Sequence, residues 1–155
     1  LTLDPETAHP RLALSQDLRE VRWEQSRQPL KDNPKRFDSS RCILGREAFS
    51  SGKHYWEVEV ATGTTWAIGV AKESVRRKGK VIINPQEGIW AMGRCGSRYQ
   101  ALTAPTSPID LPVAPKVIGV FLDYEGGQVT FVDATSQEPF FSFDSTAFEG
   151  ERVLP

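Results

Sequence analysis

The side chains with the widest chemical range in this sequence are two histidines, two cysteines and a cluster of basic residues, and their spacing limits what they can do. His9 and His54 stand at irregular distances from Cys42 and Cys95, so the paired-ligand spacing of a zinc site is absent, and neither a metal nor another cofactor is expected. Two cysteines do not form a disulfide framework, and no Asn-x-Ser/Thr site occurs, so the thiols read as free in a reducing, cytoplasmic compartment. No G-x-S-x-G elbow appears, and neither histidine has a recognisable nucleophile or orienting carboxylate nearby. Asp123 and Glu125, in "LDYEGGQVTF", flank a turn and read as a capped, solvated corner rather than an acid–base pair. An enzyme is therefore not expected.

The run "VRRKGK" gathers Arg76, Arg77, Lys78 and Lys80. It has no interleaved aromatic for base stacking and no glycine turn leading into a helix. It reads as a solvated turn, with a partner-contacting basic patch as the alternative. "GRCGSR" reads as a loop with adaptable backbone, since a lone G-x-x-G is a weak signal. Nineteen basic residues against twenty acidic ones leave a net charge of -1, which gives no general field for nucleic acid or anionic lipid. No apolar run approaches the ~20 residues of a membrane span, and no signal peptide is read at the start.

The elements that must position these residues are strands. Short apolar or alternating stretches recur between turn residues: "RLALS", "EVRW", "CIL", "HYWEVEVA", "WAIGVA", "KVII", "GIWAM", "YQALT", "KVIGVFLD", "QVTFVD" and "PFFSF". That rhythm predicts an all-β sandwich in one domain of 155 residues. In one strand His54, Trp56, Val58 and Val60 share a face, and Tyr55, Glu57, Glu59 and Ala61 share the other. Both faces of the strand around Val117–Leu122 are apolar, which predicts burial between two layers. Gly126 and Gly127 predict a two-residue hairpin turn with two positive-φ positions. Asp4, Pro5 and Glu6 predict a short N-terminal helix, ended before Pro10. Trp56, Trp66 and Trp90 are expected in the core; Trp23, before the polar loop "EQSRQPLKDNPKRFDSSR", is not assigned by alternation. "TAPTSPIDLPVAP" reads as a second loop, stiffened by prolines.

"LDP" at 3 to 5, "WEVEV" at 56 to 60 and "LDYE" at 122 to 125, with "RFDSSRCILG", "FSSGKHYWEVEV" and "ESVRRKG" between them, closely resemble the PRY-SPRY domain of tripartite-motif ubiquitin ligases, butyrophilins and pyrin. The resemblance implies a bent sandwich of two antiparallel sheets, jelly-roll-like, with about residues 1–50 as the PRY part and 51–155 as the SPRY part. The family pattern continues past a segment like "VLP" to one more strand, which lies beyond Pro155 or is absent; its absence would leave a sheet edge and part of the ligand pocket open. It implies a non-enzymatic module that recognises a protein or peptide and supplies target selection to a ubiquitin ligase. The rival implied reading is the cytoplasmic ligand sensor of a butyrophilin-type receptor. The positions where metabolite-sensing butyrophilins carry basic and aromatic groups correspond to Ser39, Ser40, Arg41, Ala67, Ile82, Gln100 and Thr106, of which only Arg41 is charged. The tryptophans of antibody-binding relatives correspond to Gly93 and Cys95. Both specialised ligands are thereby disfavoured. The expected partner surface comprises Ser39, Ser40, Arg41, Ala67, Gly93, Arg94, Cys95, Arg98 and Gln100, on a monomer with no nucleic-acid partner and no direct insertion into a membrane.

Overall fold

The computed structural model describes residues 1–60 and 62–155; Ala61, placed above on the outward face of its strand, lies outside them. Eleven strands follow in chain order: β1 (Leu12–Leu14), β2 (Val21–Trp23), β3 (Lys53–Glu59), β4 (Thr65–Lys72), β5 (Ile89–Cys95), β6 (Arg98–Ala101), β7 (Ser107–Ile109), β8 (Val117–Asp123), β9 (Gln128–Asp133), β10 (Pro139–Phe143) and β11 (Val153–Leu154). They pair antiparallel into a four-stranded sheet, β10-β9-β8-β3, a five-stranded sheet, β11-β4-β5-β6-β7, and the small hairpin β1-β2.

Period-two alternation puts one face of each large sheet into a shared core. Ile118, Val120 and Leu122 of β8, with Val129 and Phe131 of β9, meet Val70, Trp90, Met92 and Ala101 of the facing sheet. Trp90 closes one end edge-on against Phe148, ring centroids 4.9 Å apart. Trp56 and Trp66 are only half-buried, packed at the margin of this core. A second cluster seats Phe37 and Leu44 from the N-terminal segment, with Val75 and Leu154, on Ala71 of β4. Arg36 fixes that segment: its buried guanidinium donates to the carbonyls of Lys31, Pro5 and Ala8 at 3.0, 3.0 and 2.6 Å, which satisfies a charge that would otherwise be costly to desolvate.

Several expectations are corrected. The N-terminal helix is a turn: Asp4 accepts from the Glu6 amide at 3.0 Å as a cap would, but only residues 5–7 turn. Pro10 leaves too few residues to propagate a helix, and the Thr7 hydroxyl accepts from the Leu44 amide at 3.0 Å, tying the segment to the loop beneath it. The hairpin at Gly126–Gly127 has a four-residue loop, because Asp123 pairs with Gln128. Gly127 alone of the two has positive φ, at 63°; at Gly126 a Cβ would lie 2.3 Å from Asp123 Oδ2, the end of a side chain that can swing aside. β8 is not buried between two full layers: on its outer face Gly119 is buried beside Val132, but Phe121 is 42% exposed with the Tyr55 ring 4.4 Å away. "CIL" and "KVII" are loops, and β7 emerges from the proline-rich segment, where Pro108 sits on a sheet edge that does not need its N–H.

Candidate partner-binding surface

The outer face of the five-stranded sheet brings together much of the expected surface. Ala67 of β4 lies opposite Gly93 of β5, Gly93 opposite Gln100 of β6, and Gln100 opposite Pro108 of β7. Directly opposed residues share a face, so these four form one row across the sheet. Cys95 and Arg98 oppose each other one step along, beside Thr65. The core side carries Trp66, Ile68 and Val70 of β4, which places the row on the solvent side. At Gly93 a Cβ would stand 2.9 Å from the Trp66 carbonyl, so the floor is main chain held close to its neighbour strand.

Arg94 is not part of this surface. It opposes Trp66 and Tyr99 on the other face, with its guanidinium 5.3 Å from the Tyr99 ring and donating to the carbonyls of Gly96 and Gly63 at 2.8 and 3.0 Å. Sequence proximity to Gly93 and Cys95 suggested it; alternation turns it away. Ser39, Ser40 and Arg41 lie on the loop that covers the other end of the same sheet. The Ser40 hydroxyl accepts from the Val81 amide at 2.9 Å, and Val81, like Ile89, packs against the cluster that contains Ala71. Arg41 does not point free: its guanidinium lies over the Trp23 ring, 4.3 Å from the centroid.

The basic run divides in the structure. Arg77 donates to the carbonyls of Lys35 and Glu73 at 2.7 and 2.6 Å, and burial holds its guanidinium below the usual arginine range, opposed by Glu73 and Asp4. Lys78 pairs with Asp32 at 2.7 Å and also donates to the carbonyls of Asn33 and Arg36. These two fasten the polar loop to the sandwich. Arg76 and Lys80 remain at the mouth of a shallow pocket with Ile82, Glu87 and Ile89. Asp123 and Glu125 are also structural: Asp123 accepts from the Gly126 amide at 2.9 Å, and the Glu125 carboxylate from the Gly52 amide at 3.1 and 2.8 Å. Sequence reasoning left Trp23 unassigned and Arg36 unnoticed; the only signal for the latter was a charged residue beside the apolar Phe37.

Residues 1–49 match the family model described as PRY, the SPRY-associated domain, and residues 53–155 match the SPRY domain. The chain belongs to the SPRY family. It is 49% identical over 150 residues to butyrophilin subfamily 1 member A1 of Bos taurus, covering 97% of this chain and 28% of that protein. It is 49% identical over 144 residues to the human erythroid membrane-associated protein, covering 92% and 30%, and 46% identical over 150 residues to nuclear factor 7, ovary, of Xenopus laevis, covering 96% and 25%. The chain thus spans under a third of the length of these relatives. Among solved structures, stonustoxin superposes with a TM-score of 0.86 at 28% identity, over 100% of this chain and 26% of that one. The TRIM65 PSpry domain superposes with a TM-score of 0.85 at 24% identity, over 100% and 82%, which shows the shared fold. SPRY domains are non-catalytic protein-interaction modules, and this chain is one of them. Among the described residues no helix is long and apolar enough to cross a membrane.

Proposed function

We propose that this SPRY module binds a protein or peptide partner across the open half of the outer face of the five-stranded sheet. The observation that carries the reading is the in-register row Ala67–Gly93–Gln100–Pro108, a low floor beside the exposed Arg98 in which Ala67 and Pro108 are exposed, Gln100 is half-buried and Gly93 is itself buried. Such a floor suits a partner backbone that can approach closely, with Arg98 and Gln100 supplying directional donors at its rim. The PRY and SPRY parts act as one unit in this reading, because Phe37 and Leu44 close the other half of the face. A small anionic metabolite is a poor fit, since Arg41 is the one charged residue among the corresponding positions and it is stacked on Trp23.

For the parent protein, identities of 47–49% to butyrophilins favour a cytoplasmic module of a butyrophilin-type receptor. The reading as target selector of a ubiquitin ligase is supported by the fold shared with the TRIM65 PSpry domain. The test is affinity capture with this chain followed by direct titration of each captured protein against Ala67→Arg with Arg98→Glu. Binding weakened tenfold or more with unchanged melting supports the surface. Unchanged affinity in the folded double variant refutes it.

A further inference from the structure

The outer face of the four-stranded sheet, on the opposite side of the molecule's core from the row described above, carries an aromatic pair that the chain leaves open to water. Tyr55 of β3 lies directly opposite Phe121 of β8, with ring centroids 4.4 Å apart, and the two residues are 40% and 42% exposed. A Cβ at Gly119, the next outward position of β8, would stand 2.5 Å from the Tyr55 hydroxyl and 2.6 Å from its Cε1. The ring therefore lies along β8, in space that a glycine leaves free. Its hydroxyl donates to Glu57 Oε2 at 2.6 Å and accepts from Gln137 Nε2 at 3.4 Å, which holds ring and carboxylate side by side. Apolar area left in water at both rings is area that a covering partner would recover.

The charges beside the rings say what that partner should bring. The four strands of this sheet contain one lysine, Lys53, and no arginine, against Glu57, Glu59, Asp123 and Asp133. Asp123 and Asp133 cap turns, accepting from the Gly126 and Thr135 amides at 2.9 and 2.8 Å, and Lys53 lies opposite Asp123 at the far end of the face. Glu57 and Glu59 are exposed on the same face as Tyr55, and among the described residues neither forms an ion pair. Elsewhere the chain covers aromatic rings with its own guanidinium groups: Arg41 over Trp23, Arg77 over Phe37 and Arg94 over Tyr99, at 4.3, 5.5 and 5.3 Å. Among the described residues no such cation lies over Tyr55 or Phe121. A guanidinium is the group that meets both demands at once, because its flat face stacks on a ring while its edge donates in bidentate fashion to an adjacent carboxylate.

We propose that the Tyr55–Phe121 platform, with Glu57 and Glu59 at its rim, is a docking site for an arginine-bearing peptide segment of a partner protein. This rests on the reading of the chain as a protein-recognition module but not on the row Ala67–Gly93–Gln100–Pro108, which belongs to the other sheet. Beside Phe121 a groove lined by Lys53, Asp123, Gln128 and Thr130 continues across the strands and offers room for the residues that flank the arginine. The carboxylates at the rim repel phosphate, so the aromatic pair suits a peptide rather than a nucleic acid.

The test is calorimetric titration of the intact chain with an alternating arginine–glycine decapeptide and its lysine and citrulline counterparts, the last keeping the shape of the guanidinium without its charge. The arginine peptide should bind, the lysine peptide severalfold and the citrulline peptide at least tenfold more weakly, and affinity should fall between about 50 and about 300 mM salt as exposed charges are screened. Glu57→Gln with Glu59→Gln should weaken binding at least tenfold at unchanged melting temperature. Phe121→Leu, which keeps apolar area but removes the ring, and Tyr55→Phe, which releases Glu57, should each weaken it severalfold. Asp17→Asn with Glu20→Gln, which removes the same charge from the β1-β2 turn, should leave binding unchanged, as should Ala67→Arg. No binding of the arginine peptide, equal binding of the citrulline peptide, undiminished affinity in the folded Glu57 and Glu59 variant, or an equal loss in the Asp17 and Glu20 variant would each overturn the proposal. Self-association of the chain that Glu57→Gln with Glu59→Gln abolishes, in place of peptide binding, would overturn it in favour of a second copy. Failure here while Ala67→Arg with Arg98→Glu still weakens captured partners would spare the sheet-face reading; success here with captured partners indifferent to that variant would refute the sheet-face reading alone.

Discussion

The outer face of the five-stranded sheet is one surface put to two uses. At one end Ala71 and Ile89 lie under Phe37, Leu44, Val75 and Leu154, and the small β4 side chain lets the N-terminal segment seat against the strand. At the other end Ala67 is exposed and Gln100 half-buried, and Gly93, though buried, has the Leu102 side chain near it rather than a segment of the N-terminal cluster. Small side chains are common to both halves, so smallness does not distinguish packing from recognition. What differs is whether a later or earlier part of the same chain arrives to fill the space.

The comparison breaks most sharply at Phe37. Phe37→Ala should cost on the order of 3 to 5 kcal/mol, because it empties the cover of the closed half. Urea unfolding would measure it, and a loss under about 1 kcal/mol would mean the two halves are energetically alike. Between the halves, a Cβ at Gly69 would stand 2.0 Å from the Trp90 carbonyl and 2.6 Å from Ala91 Cα. Since backbone rather than a flexible side chain must yield, Gly69→Ala should destabilise by roughly 1 to 3 kcal/mol, read as a lowered melting temperature. On the open half, Ala67→Arg should change stability by no more than about 0.5 kcal/mol, with a tenfold or greater loss of partner affinity, about 1.4 kcal/mol, by calorimetry.

The smallest effect concerns pH. His9 has a folded pKa below its unfolded value of 6.5, so the unfolded chain binds the extra proton first. Its contribution to stability is complete above about pH 6.5 and declines as pH falls through that value toward the folded pKa. The unfolding midpoint in urea should therefore drop on acidification across this window, and His9→Gln should flatten that part of the slope. A slope unchanged by His9→Gln would assign the dependence to other groups.

The strand pattern of the sandwich was legible because alternation is a local property. His54, Trp56 and Val58 separate from Tyr55, Glu57 and Glu59 in the structure as they do in the sequence. The same rule, applied strictly, also turns Arg94 to the core side. Reading it by its neighbours in the chain put it on the wrong face. The β8 strand misled in the opposite sense: Phe121 is apolar yet 42% exposed, because on the outer face the Tyr55 ring covers it only in part while Gly119 and Val132 beside it are buried.

By itself the sequence determined the all-β class, the membership signalled by "WEVEV" and "LDYE", and the absence of any visible catalytic spacing, since each depends on residue types at short separations. Tertiary structure alone decided that Ala67, Gly93, Gln100 and Pro108 form one row, that Arg36 is a buried anchor for three carbonyls, and that Arg41 is stacked on a tryptophan eighteen positions before it. These depend on strand register and on which segments of chain meet across the fold. Register is set by the summed packing of whole sheets, and a one-residue slip would carry every side chain of a strand to the opposite face.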